Sequence, residues 1–423
     1  MVLRLLKGHA RPLAMMALRV GTMVAKFLLA LYTARYLGLA DLGVYGLVTG
    51  AATMAPWLLG FGVTDWTLRQ IATMARPDAA ACVATRLAFT LALHAVGQPL
   101  GWIVNAALGA PVPWPIAFAA GAILLLEHLA CDANDMLLAR RRALMGTVLL
   151  FVRSGLWPFA VIAWGLLDPA ARTLECMLLG WIGGLALAWL AILGHVAAEG
   201  RWRFIALRPD WLLSGIRASV PLYVRDLAGA LNLYLDRFLI SLFLGLELTG
   251  VYTLFWSIGN VVHNLAVASL VQPQLPAMID SAARGPDAFR ALERRLRIEV
   301  AGWAAALIAA AAFAMPVLLP HLGRPLLEEN LPVLWLMLAA TVLRMGADSY
   351  GYALLALHRD TAIAIVGVVG VIMSAVLNLV LVPTLGLDGA ALAFLVTSGA
   401  LFAIRFWIAR AWPENGLPAA ARS

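Results

Sequence analysis

The sequence predicts an all-α polytopic membrane protein, with about twelve transmembrane helices arranged as two parallel six-helix bundles. Three observations carry that prediction: an apolar composition, apolar runs of span length from end to end, and a short segment that returns halfway along the chain. Of 423 residues, 63% are hydrophobic and only 13% charged, and mean hydropathy is +0.88. Soluble domains are roughly half apolar and a quarter charged.

A run of about 20 apolar residues crosses a ~30 Å hydrocarbon core as a helix. The first such run, 13–35, follows Arg4, Lys7 and Arg11 as a secretory signal would. It is longer than a signal core, carries Arg19 and Lys26, and is followed by many more spans, so it reads as a retained first helix. Runs at 42–64, 86–107, 115–138, 146–167 and 173–195 complete an N-terminal bundle over residues 1–200. A cytoplasmic linker, 201–217, leads to a C-terminal bundle over 218–423, with runs at 218–243, 249–273, 299–320, 331–356, 361–383 and 388–410. No connection is long enough for a soluble domain.

Basic residues set the orientation. With both termini in the cytoplasm, the cytoplasmic side collects the N-terminal cations, Arg69, Arg76 and Arg86 after span 2, Arg140 to Arg142 after span 4, and the arginines of 201–217 and 284–297. The opposite side has only Arg35, Arg172 and Arg324. The net charge of +8 is therefore a topology signal. Divided among short loops, it forms no stripe for a nucleic acid.

The repeat is "LGLADLGVYGL" at 37–47, which returns as "LGLELTGVYTL" at 244–254, each just after the first span of its half. Weaker echoes follow spans 4 and 10 and spans 5 and 11. Because six helices per half is even, both halves start on one side, and the repeat is parallel about an axis along the membrane normal. Gly38 and Gly43, with their counterparts Gly245 and Gly250, are expected to let the chain turn between helices, and Asp41 to cap span 2.

Ionisable residues inside spans cost about 2.5–3.5 kcal/mol each on insertion scales and mark interior sites. Arg19 and Lys26, seven apart, share one face of span 1. Span 4 has Glu127, Asp132 and Asp135, span 5 Arg153, span 7 Arg225, Asp236 and Arg237, span 10 Arg344 and Asp348, and span 12 Arg405. Two readings stand. Fixed cations facing water would bind a phosphate or pyrophosphate, with the acids carrying a coupling proton or Na⁺. Alternatively, opposite charges pair and glue helices together, Arg344 with Asp348 and Asp236 with Arg237. Arg19 and Lys26 fit the second reading worst, having no acid nearby on their own helix. His94, His128 and His263 read as lone, hydrogen-bonded packing residues. The stretch "GPDAFRALERRLRIE" reads as an amphipathic helix on the inner leaflet.

Cys82, Cys131 and Cys176 are scattered and odd in number, offering neither a disulfide framework nor a CxxC metal site. There is no GxxxxGK[ST], HExxH or GxSxG motif. No cofactor, metal or catalytic residue is expected.

Four stretches, in order, carry a family resemblance: "ARYLGLADLGVYGLV", "YLDRFLISLFLGLELTGVYTLF", "PQLPAMIDSAARGPDAF" and "LNLVLVPTLGLDGAALAFLVTSG". Together they resemble the Wzx-like polysaccharide-repeat-unit flippases, exporters of O-antigen and exopolysaccharide units related to MATE-type transporters in the MOP superfamily. The resemblance implies two bundles in a V shape, alternating access, and passage of an undecaprenyl-pyrophosphate-linked oligosaccharide from the inner to the outer leaflet of the bacterial inner membrane. It implies cavity roles for Arg19 and Lys26, importance for Asp236 and Arg237, and association with polysaccharide polymerase machinery. The chain departs from the lipid II flippases of that superfamily in lacking an extra helix pair.

A MATE-like or other secondary exporter of drugs or small solutes is the alternative. A facilitator is disfavoured because "DWTLRQIATMARP" lacks the Gly-x-x-x-Asp-Arg/Lys-x-Gly-Arg signature. A membrane polymerase would need a larger aqueous loop for its catalytic groups than 108–114 or 321–330 supplies.

Overall fold

A computed structural model describes the backbone of residues 2–109, 112–140, 142–198 and 206–411. Within these, it describes side chains other than those of residues 2–12, 65, 76–77, 196–198, 221–222 and 225. The described residues contain no strand. The helices are α1 (Val2–Tyr32), α2 (Leu39–Leu59), α3 (Val63–Thr73), α4 (Arg76–Ala107), α5 (Trp114–Ala139), α6 (Ala143–Phe151), α7 (Trp157–Leu167) and α8 (Leu174–Ala198). They continue as α9 (Pro209–Leu244), α10 (Leu246–Ala266), α11 (Leu275–Arg284), α12 (Pro286–Leu322), α13 (Pro325–Glu329), α14 (Leu331–Ala356) and α15 (Asp360–Arg410). π-Helical turns follow α1, α6 and α10, at Thr33–Leu37, Val152–Leu156 and Val267–Val271.

Eleven helical stretches among the described residues are long and apolar enough to cross a membrane. The last has 51 residues and would run roughly 77 Å if straight, more than twice a ~30 Å core. It is broken at Gly386 (φ 61°, ψ −138°), between the apolar runs 361–383 and 388–410, so this one element holds two of the twelve spans.

The chain divides into two compact units, Met1–Tyr32 with Leu47–Ala230, and Thr33–Gly46 with Leu231–Ser423. In the first, α1 packs on α6, α7 and the π turn between them, while α5 packs on α3, α4, α6 and α8. Small residues let these helices meet closely where burial of Leu against lipid-like surroundings offers little driving force. Gly21 faces the Phe151 ring, and Gly180 and Gly184 admit Val161 and Trp157. The Trp157 and Trp181 rings stack at 5.5 Å, interplanar angle 10°.

In the second unit α14 packs on α10, α11, α12 and α15. The segment "GPDAFRALERRLRIE" departs from expectation here. Its apolar face does not look out at lipid: Phe289 and Leu296 are buried with Met278, Ala282 and Leu357. The segment is the first part of the continuous helix α12.

The second unit also contains both copies of the repeat's core. Gly38 (φ 134°) and Gly245 (φ 86°) make the turns, in a region of backbone that favours glycine. Gly43 and Gly250 do not turn the chain. They lie one turn inside α2 and α10, where the two helices touch: a methyl on Gly43 would overlap the Leu246 carbonyl, and one on Gly250 the Leu39 carbonyl.

Candidate functional site

Arg19 and Lys26 are both exposed. Seven residues is about two helical turns, so they form one stripe. The exposed apolar side chains Leu13, Val24 and Leu28 lie about 120–180° round the helix from it, at 100° per residue. The edge adjoining the stripe on its other side, Thr22, Ala25 and Leu29, is buried. The cations therefore lie off the main exposed apolar arc, with exposed Met16 about 60° to one side of Arg19 and buried Thr22 about 40° to the other side of Lys26. Arg19 makes no hydrogen bond or ion pair with a described residue.

Lys26 has company from two other helices: Glu127 and Cys131 of α5, and Arg153, are its electrostatic neighbours. Arg153 reaches this cluster because the π turn Val152–Leu156 inserts a residue and re-aims the side chain, a common device at functional positions. Its Nη1 donates to Glu127 Oε2 at 2.7 Å and lies 3.6 Å from Cys131 Sγ. The other Glu127 oxygen, Oε1, accepts from Trp181 Nε1 at 2.9 Å. Both Glu127 oxygens are thus engaged, and Arg153 is buried with Nε lacking a partner among the described residues. Asp135 is a further electrostatic neighbour of Arg153 and Cys131, so the cluster sets two cations against two carboxylates.

Apart from Asp135, the remaining residues expected from the sequence fall elsewhere. Asp132 is bonded to Arg86, Nε to Oδ1 at 3.2 Å and Nη2 to Oδ1 at 3.1 Å, and to Thr90 Oγ1 at 2.6 Å through Oδ2. Asp135 lines a small pocket with Thr64, Thr67 and Arg86. The side chain of Arg225 lies outside the described residues. In the second unit Asp236 accepts from Tyr252 OH at 2.5 Å and from the Arg237 amide at 2.8 Å. Arg237 is 1% exposed, its Nε and Nη2 have no hydrogen-bond partner among the described residues, and its guanidinium lies over Trp256 (3.9 Å) and Tyr234 (4.8 Å). Ring faces take the place of acceptors here. Asp348 bonds His263 Nε2 at 2.8 Å and Arg405 Nη1 at 3.1 Å. Arg344, the partner expected from i, i+4 spacing, remains only an electrostatic neighbour.

Several participants were not singled out from the sequence for these roles. Arg86, counted there among loop cations, is 1% exposed inside α4. Trp181, Tyr252 and Trp256 were unmarked as partners, and His94 and His128 turn out to bond each other, Nε2 to Nδ1 at 3.1 Å.

Fold and helix pattern together define a multi-pass α-helical membrane protein of MATE/MOP architecture. The chain is similar to an inward-facing multidrug resistance MATE family transporter of the MOP superfamily, at 14% identity over 92% of this chain and 94% of that one, TM-score 0.72. It is likewise similar to the lipid II flippase MurJ in an inward closed conformation, at 9% identity over 94% and 88%, TM-score 0.75. A MOP superfamily transporter from Pyrococcus furiosus aligns at 13% identity over 94% of each chain, TM-score 0.58. No family model and no curated protein matches the sequence.

Proposed function

We propose that this protein is a flippase of the bacterial inner membrane that moves an undecaprenyl-pyrophosphate-linked oligosaccharide from the inner to the outer leaflet by alternating access. Both termini lie in the cytoplasm, as the distribution of arginines favours. The observation that carries the reading is the cationic stripe of α1: Arg19 and Lys26 are exposed between the buried edge at Thr22 and Ala25 and the exposed apolar arc of Leu13, Val24 and Leu28. Intramembrane cations so placed call for an anionic cargo, and a pyrophosphate offers acceptors to both ammonium and guanidinium. Arg153, held beside Lys26, adds to the field. Arg225 is a secondary candidate, whereas Arg237, 1% exposed against Trp256 and Tyr234, is not a cargo contact. The likeness to a lipid II flippase supports a lipid-linked substrate, while the likeness to multidrug transporters keeps a drug or small-solute exporter as the alternative.

The test is deletion in the parent bacterium. Lipid-linked repeat units are expected to accumulate on the cytoplasmic leaflet, and normal surface polysaccharide without accumulation overturns the proposal. A charge-assisted hydrogen bond contributes about 1.5–3 kcal/mol, so Arg19→Ala or Lys26→Ala should weaken cargo binding about 10–100-fold at unchanged protein level. Full transport by both variants removes α1 from the site.

A further inference from the structure

The polar residues of α4 form a ladder. Arg86, Thr90, His94 and Gln98 recur every fourth residue, on one face, over about 18 Å of helical rise. Each is bonded to α5. Below His94, Arg86 and Thr90 hold Asp132; above it, Gln98 Nε2 donates to the Gly121 carbonyl at 2.7 Å. Between them His94 and His128, 3% and 0% exposed, meet at 3.1 Å.

The bonds have a direction. A carbonyl only accepts, so the Gln98 atom at Gly121 is the amide nitrogen, and the same nitrogen lies 3.1 Å from His94 Nδ1. His94 Nδ1 is then an acceptor. Its proton is on Nε2 and is donated to His128 Nδ1, which leaves the proton of neutral His128 on Nε2. That atom is buried and has no partner among the described residues.

We propose that the His94–His128 pair binds one proton inside the membrane, at His94 Nδ1, and that the bound proton releases Gln98 from the Gly121 carbonyl. In the neutral pair, His94 Nδ1 carries the lone pair that no other imidazole engages. A proton added there from water forms one N–H bond and sets two donors, Nδ1–H and the Gln98 amide, against each other. The amide turns over to present Oε1 and withdraws its NH₂ from Gly121, undoing a tie between α4 and α5. Loss of the proton reverses each step. The charge is shared along the 3.1 Å contact between the rings.

The charged groups that face the pair are Asp132, which favours a positive charge on His94, and Arg86, which opposes one on His128. Glu127, next to His128 in sequence, is turned to Arg153 and Trp181. Among the described residues, α3, α6 and α8 direct no charge at the rings. At the Arg86 end the ladder meets the pocket lined by Thr64, Thr67, Arg86, Asp132 and Asp135, with room for about one water molecule. The use of this site as the seat of a coupling ion rests on the transporter reading; the binding of the proton does not.

Solid-state ¹⁵N NMR of the histidine- and glutamine-labelled protein in bilayers, between about pH 5 and 8, tests the site directly. The two ring signals should change together, taking up one proton for both, with the Gln98 side-chain signal moving in the same step. In His128→Gln the joint step should be lost, and in Gln98→Leu both rings should keep it. Rings that stay neutral throughout, or that each take up a proton independently, overturn the proposal. In vesicles supplied with the lipid-linked oligosaccharide from the deletion strain, an imposed pH gradient should speed transport, and His94→Gln should reduce that acceleration about tenfold. Lys26→Ala should instead slow transport with and without the gradient. Failure of the wild type to move this cargo would sink the flippase reading and leave the NMR result to decide the proton site.

Discussion

Replacing Gly250 by alanine places a methyl group against the Leu39 carbonyl, a backbone atom that cannot swing aside as a side chain would. In an ordinary helix the same change is favourable by about 0.5–1 kcal/mol, because alanine restricts the unfolded backbone. Here the overlap forces α2 and α10 apart, and overpacking of this kind costs about 1–3 kcal/mol. The net expectation is destabilisation of about 1–2 kcal/mol. Gly302, on α12, has open space where its methyl would go, so Gly302→Ala serves as the control and should be neutral or slightly stabilising. Gly43→Ala meets the Leu246 carbonyl in the reciprocal contact and should cost about as much as Gly250→Ala. The double variant should cost less than the sum, because the first methyl already opens the gap the second needs. Reversible unfolding in mixed lipid–detergent micelles measures all four. If Gly250→Ala is as stable as Gly302→Ala, the two helices do not meet at these glycines and the reasoning fails.

Two further predictions follow from single side chains. Gly386 holds α15's break at φ 61° and ψ −138° with nothing within 4 Å of an added methyl; Gly386→Ala should therefore lose about 1–3 kcal/mol through backbone strain alone, read as a lower unfolding midpoint. Trp256→Leu removes the ring nearest the Arg237 guanidinium, and a desolvated cation–π contact is worth about 2 kcal/mol, so the same unfolding assay should show a loss of that order, with no loss if Arg237 finds a polar acceptor instead.

The spans were legible because a bilayer imposes a length and a polarity that a single sequence records. So was the sharing of one face by Arg19 and Lys26, which needs only the helical period. The partners of the other charges were not. Arg153 meets Glu127 because a π turn re-aims it, and nothing in "FVRSGLW" announces an extra residue per turn. Arg86 stands where an apolar run begins and so resembles a loop cation, whereas α4 starts at Arg76 and carries the guanidinium inside, matched to Asp132. Asp348 found its arginine on α15, far along the chain, in preference to the one four residues away. The i, i+4 recurrence of Arg86, Thr90, His94 and Gln98 was present in the sequence. Its meaning depends on α5 offering a partner at each level, and pairing between helices is not written in either one alone.

The repeat is where sequence and packing bear on each other most closely. Leucine-rich chains match themselves by accident, and seven identities in so short a stretch would not alone establish a duplication. An accident, however, has no reason to place equivalent residues of the two copies in contact. Leu39 and Leu246 are equivalent positions, as are Gly43 and Gly250, and the glycine of each copy lies against the leucine carbonyl of the other. Gly46 then meets Thr253, its own counterpart. A contact in which residue i touches j′ while i′ touches j is the signature of a two-fold relation, here between two segments of one chain. It gives the glycines a reason to recur that turning alone does not supply. Each copy needs the small residue because the other copy presents backbone to it, so a change that enlarges one glycine is felt by both helices at once.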